Sequence, residues 1–307
     1  MTVTNISISV IVCTYNRAKY IYRCLSLLGQ NDYAGSWELL LVDNNSTDGT
    51  ASESARFAAD YPAAPYRYIL ETRQGLSHAR NRGIDEAQGD WLVFLDDDAF
   101  VAPDYLSNLA QHLLTADFDA FGGRIVPLFE NGEPVWYSQW ARGFVSALDM
   151  GSEVVAFSGG KFPIGANMGI SRRAIEQCGT FNPQLGRTEK KLLGGEEKDV
   201  FLRIMSAGMK VVYLPDIAVQ HCIPASRTTP EFIARLGEGV GQSERLRTQS
   251  IGRAAYAKRC VLEGIKWCGT LLIALYYALR LQWQKGRILI HFRKHVTKGL
   301  MGHGALD

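Results

Sequence analysis

Proline is scarce in this chain of 307 residues, 10 in all, and no segment concentrates it, which excludes collagen-like and proline-rich linker architectures. The six cysteines, at positions 13, 24, 178, 222, 260 and 268, form no CxxC pair and no small secreted frame. Buried free thiols in a reducing compartment are therefore expected, not a disulfide scaffold. The most apolar stretch, WCGTLLIALYYAL over 267–279, has 13 residues, short of the ~20 that a bilayer crossing requires. The polar residues 1–5 and the brief run ISVIVC give no secretory leader to expect. Phosphate-binding signatures are missing as well. There is no GxxxxGK[ST], no GxGxxG after the first apolar run and no HExxH, which argues against P-loop, dinucleotide-binding and zincin chemistry.

What remains is an ordinary globular composition, 47% hydrophobic and 21% charged, long enough for one large α/β domain or two fused units. The net charge of +2 conceals an asymmetry. Residues 1–244 hold 21 Lys and Arg against 29 Asp and Glu, whereas residues 245–307 hold 12 against 2. A basic tail on an acidic body suits an anionic surface.

Along the body, β-branched runs alternate with helical periodicity. SISVIVC (7–13), WELLLVD (37–43), YRYIL (66–70) and DWLVFLDDD (90–98) read as strands. Helices are expected from about Ala18, through Ala58 with Thr47 or Asp48 as cap, and over Ser77–Ala87. Strands joined by helical crossovers predict a doubly wound, mainly parallel sheet with helices on both faces, plus a helical C-terminal extension. Ligands of such sheets sit at the carboxyl ends of strands, where Tyr15, Asn16, Asp43–Asn45 and Asp96–Asp98 cluster, with Arg80 and Asn81 on the helix after the third strand.

Three adjacent carboxylates at the end of a buried strand repel one another, and a divalent cation relieves that conflict. Oxygen ligands with no His or Cys nearby in sequence favour Mg²⁺ or Mn²⁺ over Zn²⁺, and Mg²⁺ characteristically bridges carboxylates and substrate phosphates. A solvated acidic turn is the plain alternative. In LLGGEEKDVFLRIMSAG (192–208) two glycines precede Glu196, Glu197 and Asp199 at the start of a helix. First-turn acids suit the helix dipole, but the GlyGly hinge also suits a presented general base. PIGANMGISRRA (163–174) reads as a glycine-bracketed strand followed by two arginines. VVYLPDIAVQHCIPASR (211–227) carries a strand to His221, with Arg227 beyond it. His291 and His295 lie in a basic segment without an acidic neighbour and read as surface residues.

Taken in order, SVIVCTYNR, LLLVDNNSTDGT, GLSHARNRG, FLDDDA, PIGANMGISRR, LLGGEEKD and YLPDIAVQHCIPASR resemble glycosyltransferase family 2, over roughly residues 7–245. The resemblance implies a GT-A fold and inverting transfer from a nucleotide-sugar donor, UDP-linked in the commonest case, to a glycan or lipid-linked acceptor. It implies that Tyr15, Asp43 and Arg80 serve the nucleotide, with Asp96 or Asp97 facing the ribose. Asp98, Asp96 and His221 would hold Mg²⁺ or Mn²⁺, and Asn167 and Arg227 would line the acceptor side. Glu197 would be the general base, with Glu196 and Asp199 behind it; the family's usual Glu-Asp is here Glu196-Glu197, one methylene longer. The implied division is residues 1–125 for the donor nucleotide, 126–229 for acceptor and catalysis, and 230–307 as a helical basic arm.

Arg235, Arg245 and Arg247 can face a phosphate-bearing acceptor. Aromatic and basic flanks make 267–279 an interfacial helix, and a helix packed on the body is the alternative. A cytoplasmic enzyme, peripheral at the membrane and without a nucleic-acid partner, is the expectation. Two other classes stand against it. A sugar nucleotidylyltransferase needs a glycine-rich loop after the first strand, and CTYNRAKY has no glycine. A non-catalytic membrane scaffold needs none of the carboxylates.

Overall fold

The computed structural model describes residues 6–186 and 195–302. Residues 192–194, most of the expected LLGG hinge, lie outside the described residues. The alternation read from the sequence becomes β1 (Ile8–Thr14), α1 (Ala18–Gly29), β2 (Trp37–Asp43), α2 (Thr50–Asp60), β3 (Tyr66–Leu70), α3 (Leu76–Glu86) and β4 (Trp91–Asp96). Then follow β5 (Ala99–Val101), α4 (Tyr105–Leu114), β6 (Ala120–Phe129), β7 (Val155–Ala156), β8 (Asn167–Ser171), α5 (Arg172–Cys178), α6 (Glu196–Ser206) and β9 (Val211–Ile223). Three helices close the chain: α7 (Pro230–Ile251), α8 (Arg253–Leu279) and α9 (Trp283–Met301).

The chain divides into two compact units. The first runs to Pro127 and resumes over Ser146–Gln184 and Glu196–Cys222; the second takes Leu128–Val145 and everything from Ile223 onward. In the first, the strand order is β3-β2-β1-β4-β8-β6-β9-β5, with β7 beside β9. β3, β2, β1 and β4 pair in parallel. From β8 the sense changes, since β8 is antiparallel to β4 and β6, and β9 is antiparallel to β5 and β7. The parallel arrangement therefore holds for the N-terminal strands and ends at β4. β4 turns through Asp97 and Asp98 straight into β5, which pairs with β9, whereas the strand beside β4 is β8, reached only after α4, β6 and β7. β1 and β4 are buried along nearly their whole length, as continuous apolar runs in a covered parallel sheet should be.

Helix α1 forms because Ile21, Cys24, Leu25 and Leu28 recur on one face, and all four are buried. The cap of α2 is Gly49, not Thr47 or Asp48. Asp48 instead accepts the Thr50 N–H at 3.0 Å and the Ala18 N–H at 3.1 Å, tying the starts of α1 and α2 together. Ser171 caps α5, accepting from the Ala174 N–H. All six cysteines are free, but only Cys24 and Cys222 are buried; Cys13, Cys178 and Cys260 are half-buried, and Cys268 is exposed on the outer face of α8.

In the second unit, α7 and α9 approach closely through glycine. A Cβ at Gly241 would meet the Val296 carbonyl at 2.1 Å, and one at Gly299 the Glu238 carbonyl at 2.2 Å. Thr229 caps α7 with Pro230 at its first turn, and Gly252, at φ 141°, ends it. The apolar run 267–279 is the C-terminal half of the 27-residue α8, which is long and apolar enough to cross a membrane by length and composition. His295 has an acidic partner after all: Glu238 of α7 lies 2.7 Å from its Nδ1, brought there by helix packing from far along the chain.

Candidate active site

Parallel strands in register end together, and that edge gathers the polar residues. Thr14 closes β1 beside Asp43 of β2, and Cys13 lies beside Asp96 of β4. Beyond β1, Asn16 takes a left-handed conformation at φ 53°, which asparagine tolerates. Its Oδ1 accepts the Thr47 N–H at 2.8 Å, fastening the Tyr15–Asn16 turn to the loop after β2. Asp43 is buried, with Oδ1 accepting the Ser46 N–H at 2.8 Å and Oδ2 the Tyr68 hydroxyl at 2.7 Å. Burial, and then that bond to a carboxylate, push the Tyr68 hydroxyl pKa far up. Tyr15 and Asp43 thus belong to one loop cluster.

The three aspartates point in different directions. Asp96 is the half-buried member, 3.9 Å from Arg80. Asp97 turns inward, where its Oδ2 accepts the Thr14 hydroxyl at 2.8 Å and its Oδ1 lies 3.5 Å from Arg17. Burial foremost, opposed by Arg17 and reinforced by the Asp98 charge, raises its pKa to about 7. Asp97 is therefore held within the protein, turned toward Thr14 and Arg17. Asp98 is buried, 3.0 Å through Oδ1 from His221 Nε2 and 3.4 Å through Oδ2 from Arg17. The sheet delivers His221: β9 pairs with β5 so that His221 lies opposite Ala99, and the Cys222 N–H donates to the Asp98 carbonyl at 2.8 Å. Donor atoms of Asp96, Asp98 and His221 all lie within 4.8 Å of one another. Two carboxylates and an imidazole converging over that span fit one divalent cation. The acids are not an oxygen-only set, as their sequence neighbourhood suggested, because the imidazole arrives from a distant strand.

Arg80, fully buried on α3, joins this cluster to a second one. Its Nη1 lies 2.9 Å from Glu196 and its Nη2 3.2 Å from Glu197, both in the first turn of α6. These carboxylates hold the guanidinium's pKa above its ordinary value despite burial. Arg80 is thus a strut between the carboxylates at this edge. The acids of α6 also differ among themselves. Glu196 is 2% exposed and Glu197 19%, while Asp199 pairs with Arg203 one turn along at 2.9 Å. Gly165 explains the close fit, since a Cβ there would meet Arg80 Nη2 at 2.1 Å and Glu197 Oε1 at 2.4 Å.

Asn167 does not line an acceptor surface. It is fully buried, and its amide donates to the Arg124 and Ile217 carbonyls at 3.1 and 2.8 Å while its oxygen accepts the Tyr105 hydroxyl at 2.7 Å. Arg227 is half-buried in the short 3₁₀ turn Ala225–Arg227 of the second unit. Sequence reasoning passed over Thr14, Arg17 and Gly165 as site residues, although each stands inside a motif it quoted. The available signal was an arginine three residues past a strand that ends beside three acids.

The family model for glycosyl transferase family 2 matches residues 9–179. Glycosyltransferase AglE of Haloferax volcanii is 34% identical over 133 residues, 43% of this chain and 43% of that protein, so the chain matches less than half the length of that relative. The succinoglycan biosynthesis protein ExoM of Rhizobium meliloti is 26% identical over 301 residues, 95% of this chain and 92% of that one. Among solved structures, a mannosyltransferase of Pyrobaculum calidifontis, determined with GDP-Man and Mn²⁺, superposes with a TM-score of 0.64 at 20% identity, covering 97% of this chain and 88% of its own. The fold is GT-A, the family match takes in more than half of the chain, and the protein is a glycosyltransferase that belongs to glycosyl transferase family 2.

Proposed function

We propose that this enzyme moves a sugar, with inversion, from a nucleoside-diphosphate donor, UDP-linked in the first instance, to a hydroxyl of a glycan or lipid-linked acceptor. The observation that carries the reading is Arg80. One buried guanidinium reaches Asp96 and Glu197 at once, so the acidic turn and the candidate base share a single cleft edge.

Asp96, Asp98 and His221 would hold a divalent cation, Mn²⁺ in preference to Mg²⁺ because an imidazole joins the carboxylates. Bound there, the cation would supply charge neutralisation for the departing diphosphate. Arg17 compensates Asp97 and Asp98 and keeps the turn folded. Tyr15 and Asp43 flank the nucleobase, and Arg227 serves the acceptor. Glu197 takes the proton of the acceptor hydroxyl as that oxygen bonds to the anomeric carbon. The bond from that carbon to the diphosphate breaks, and its electron pair leaves with the nucleotide. Arg80 grips Oε1 of Glu197, and among the described residues no hydrogen bond or ion pair reaches Oε2, which leaves that oxygen to accept the proton. Glu196 shares the charge of Arg80, so Glu197 is not bound to it alone.

The division into residues 1–125 for the nucleotide, 126–229 for acceptor and catalysis, and 230–307 as the basic arm is part of this reading. So is a peripheral station at the cytoplasmic face. The outward side of α8, with Val261, Ile265, Leu272, Leu275 and Leu279 exposed, suits a lipid interface. The test is a donor panel with Mn²⁺ and Mg²⁺, followed by two variants. Glu197→Gln is expected to lower kcat by about 10²–10⁴-fold with donor affinity intact, the range for loss of a general base. Asp98→Ala is expected to lose Mn²⁺-dependent donor binding. Wild-type turnover by E197Q would remove Glu197 as the base, and undiminished Mn²⁺-dependent donor binding by D98A would remove the metal assignment.

A further inference from the structure

Helix α9 carries its positive charges to two different ends. His295 and Lys298 both meet Glu238 of α7, at 2.7 and 2.8 Å. Arg287 and Lys294 have no carboxylate within ion-pair distance among the described residues. With His291 they recur at i, i+4 and i+7, so the three lie along one side of the helix. That side borders a cavity of about 510 Å³ whose walls also include Trp136, Ile288 and Ile290. Two of the walls are fixed. The Trp136 indole N–H donates to the Thr228 carbonyl at 3.0 Å, and His291 Nε2, 3.0 Å from the Pro230 carbonyl, donates to it.

A concavity with uncompensated cations on one wall and apolar surface on the others suits an anion borne on an apolar body. The surroundings narrow the class. One turn before Arg287, the tip joining α8 to α9 exposes Leu279, Leu281 and Trp283, with 78%, 78% and 58% of their surfaces open. The apolar outer face of α8 runs into that same tip. Solvated cations need no such neighbour, whereas a phospholipid presents a phosphate next to hydrocarbon.

We propose that Arg287, His291 and Lys294, with Trp136 opposite, bind the headgroup phosphate of an anionic membrane lipid whose acyl chains lie against Leu279, Leu281 and Trp283. The proposal rests on the reading of α8 as facing lipid and is independent of the catalytic assignments.

The test uses the full chain and vesicles of phosphatidylcholine with or without phosphatidylglycerol, scored by co-sedimentation. Two charge-matched variants are compared, R287Q/K294Q in the cavity and K258Q/K298Q away from it, each checked for folding by circular dichroism. Two basic residues near a charged surface contribute up to about thirtyfold by diffuse attraction alone, at ~1 kcal/mol each, so a bound headgroup predicts that the cavity variant loses at least about tenfold more partitioning onto anionic vesicles than the control. Soluble dihexanoyl phosphatidylglycerol should compete, and inorganic phosphate should not. Equal losses in the two variants would overturn the site in favour of diffuse attraction and leave the membrane reading standing. Equal competition by inorganic phosphate would make it a simple anion site and overturn the lipid assignment. Failure of the wild type to sediment with either vesicle would overturn both, with nucleotide-sugar turnover unaffected as a separate measure of the enzyme.

Discussion

Asn167 shows what one side chain can hold when it has no solvent to face. Its amide satisfies two backbone carbonyls and one phenol inside the sheet, and the space around it is full, since a Cβ on Gly123 would meet Asn167 Nδ2 at 2.2 Å and the Ile217 carbonyl at 2.1 Å. Asn167→Ala strands the Tyr105 hydroxyl and the Ile217 carbonyl without water. The expected cost is about 2–4 kcal/mol, read as a lower urea midpoint, from unsatisfied buried groups at ~1–3 kcal/mol each. Acceptor KM should stay unchanged in whatever fraction remains folded, whereas a residue touching the acceptor would move it. The motif GANMG marked this position in the sequence but not its role. A polar residue between glycines reads the same whether it faces a ligand or a neighbouring strand, and here the neighbours, Arg124 and Ile217, come from β6 and β9. Asp97 is similar: three consecutive aspartates are legible as a site, but which of them turns inward depends on Thr14 and Arg17.

At the scale of elements, α8 is two-sided. Its outer face is apolar and open, but its inner face carries a buried ion network. Arg259 lies 3.0 Å from Glu244 of α7 and 2.8 Å from Glu263, and Glu263 lies 3.1 Å from Arg293 of α9. Trp267 adds a bond from its indole N–H to the Thr297 hydroxyl of α9 at 2.8 Å. A helix pinned this way along its polar side keeps that side against α7 and α9, which suits the proposed interfacial mode. Glu263→Gln leaves Arg259 and Arg293 sharing a neutral amide in a buried place. Removing one partner of a buried network costs about 3–5 kcal/mol, expected as a drop in Tm by calorimetry with transfer activity retained below the transition. The existence of the helices was legible from periodicity. The network was not, because its members stand on three helices and only the Arg259–Glu263 pair has helical spacing.

For the molecule as a whole, charge is the readable property: an acidic majority and a basic remainder from residue 245. Membrane attachment built on it should have two components. Raising salt from ~0.05 to ~0.5 M shrinks the screening length several-fold, and the vesicle-bound fraction should fall toward a plateau set by apolar contact alone. Complete release at high salt would show that α8 contributes nothing. The N-terminal parallel strands were legible because each motif, turn and crossover is local. The antiparallel half was not, since β8, β6 and β9 find partners far away in the chain, and local patterning carries no record of distant pairing.

Pairing of β5 with β9 sets Ala99 opposite His221. A slip by one residue would flip the imidazole to the other side of the pleat. If the cation is held as proposed, a copy with β9 out of register would present the two carboxylates without the imidazole and bind the ion less tightly, so metal affinity would report on the register of that strand.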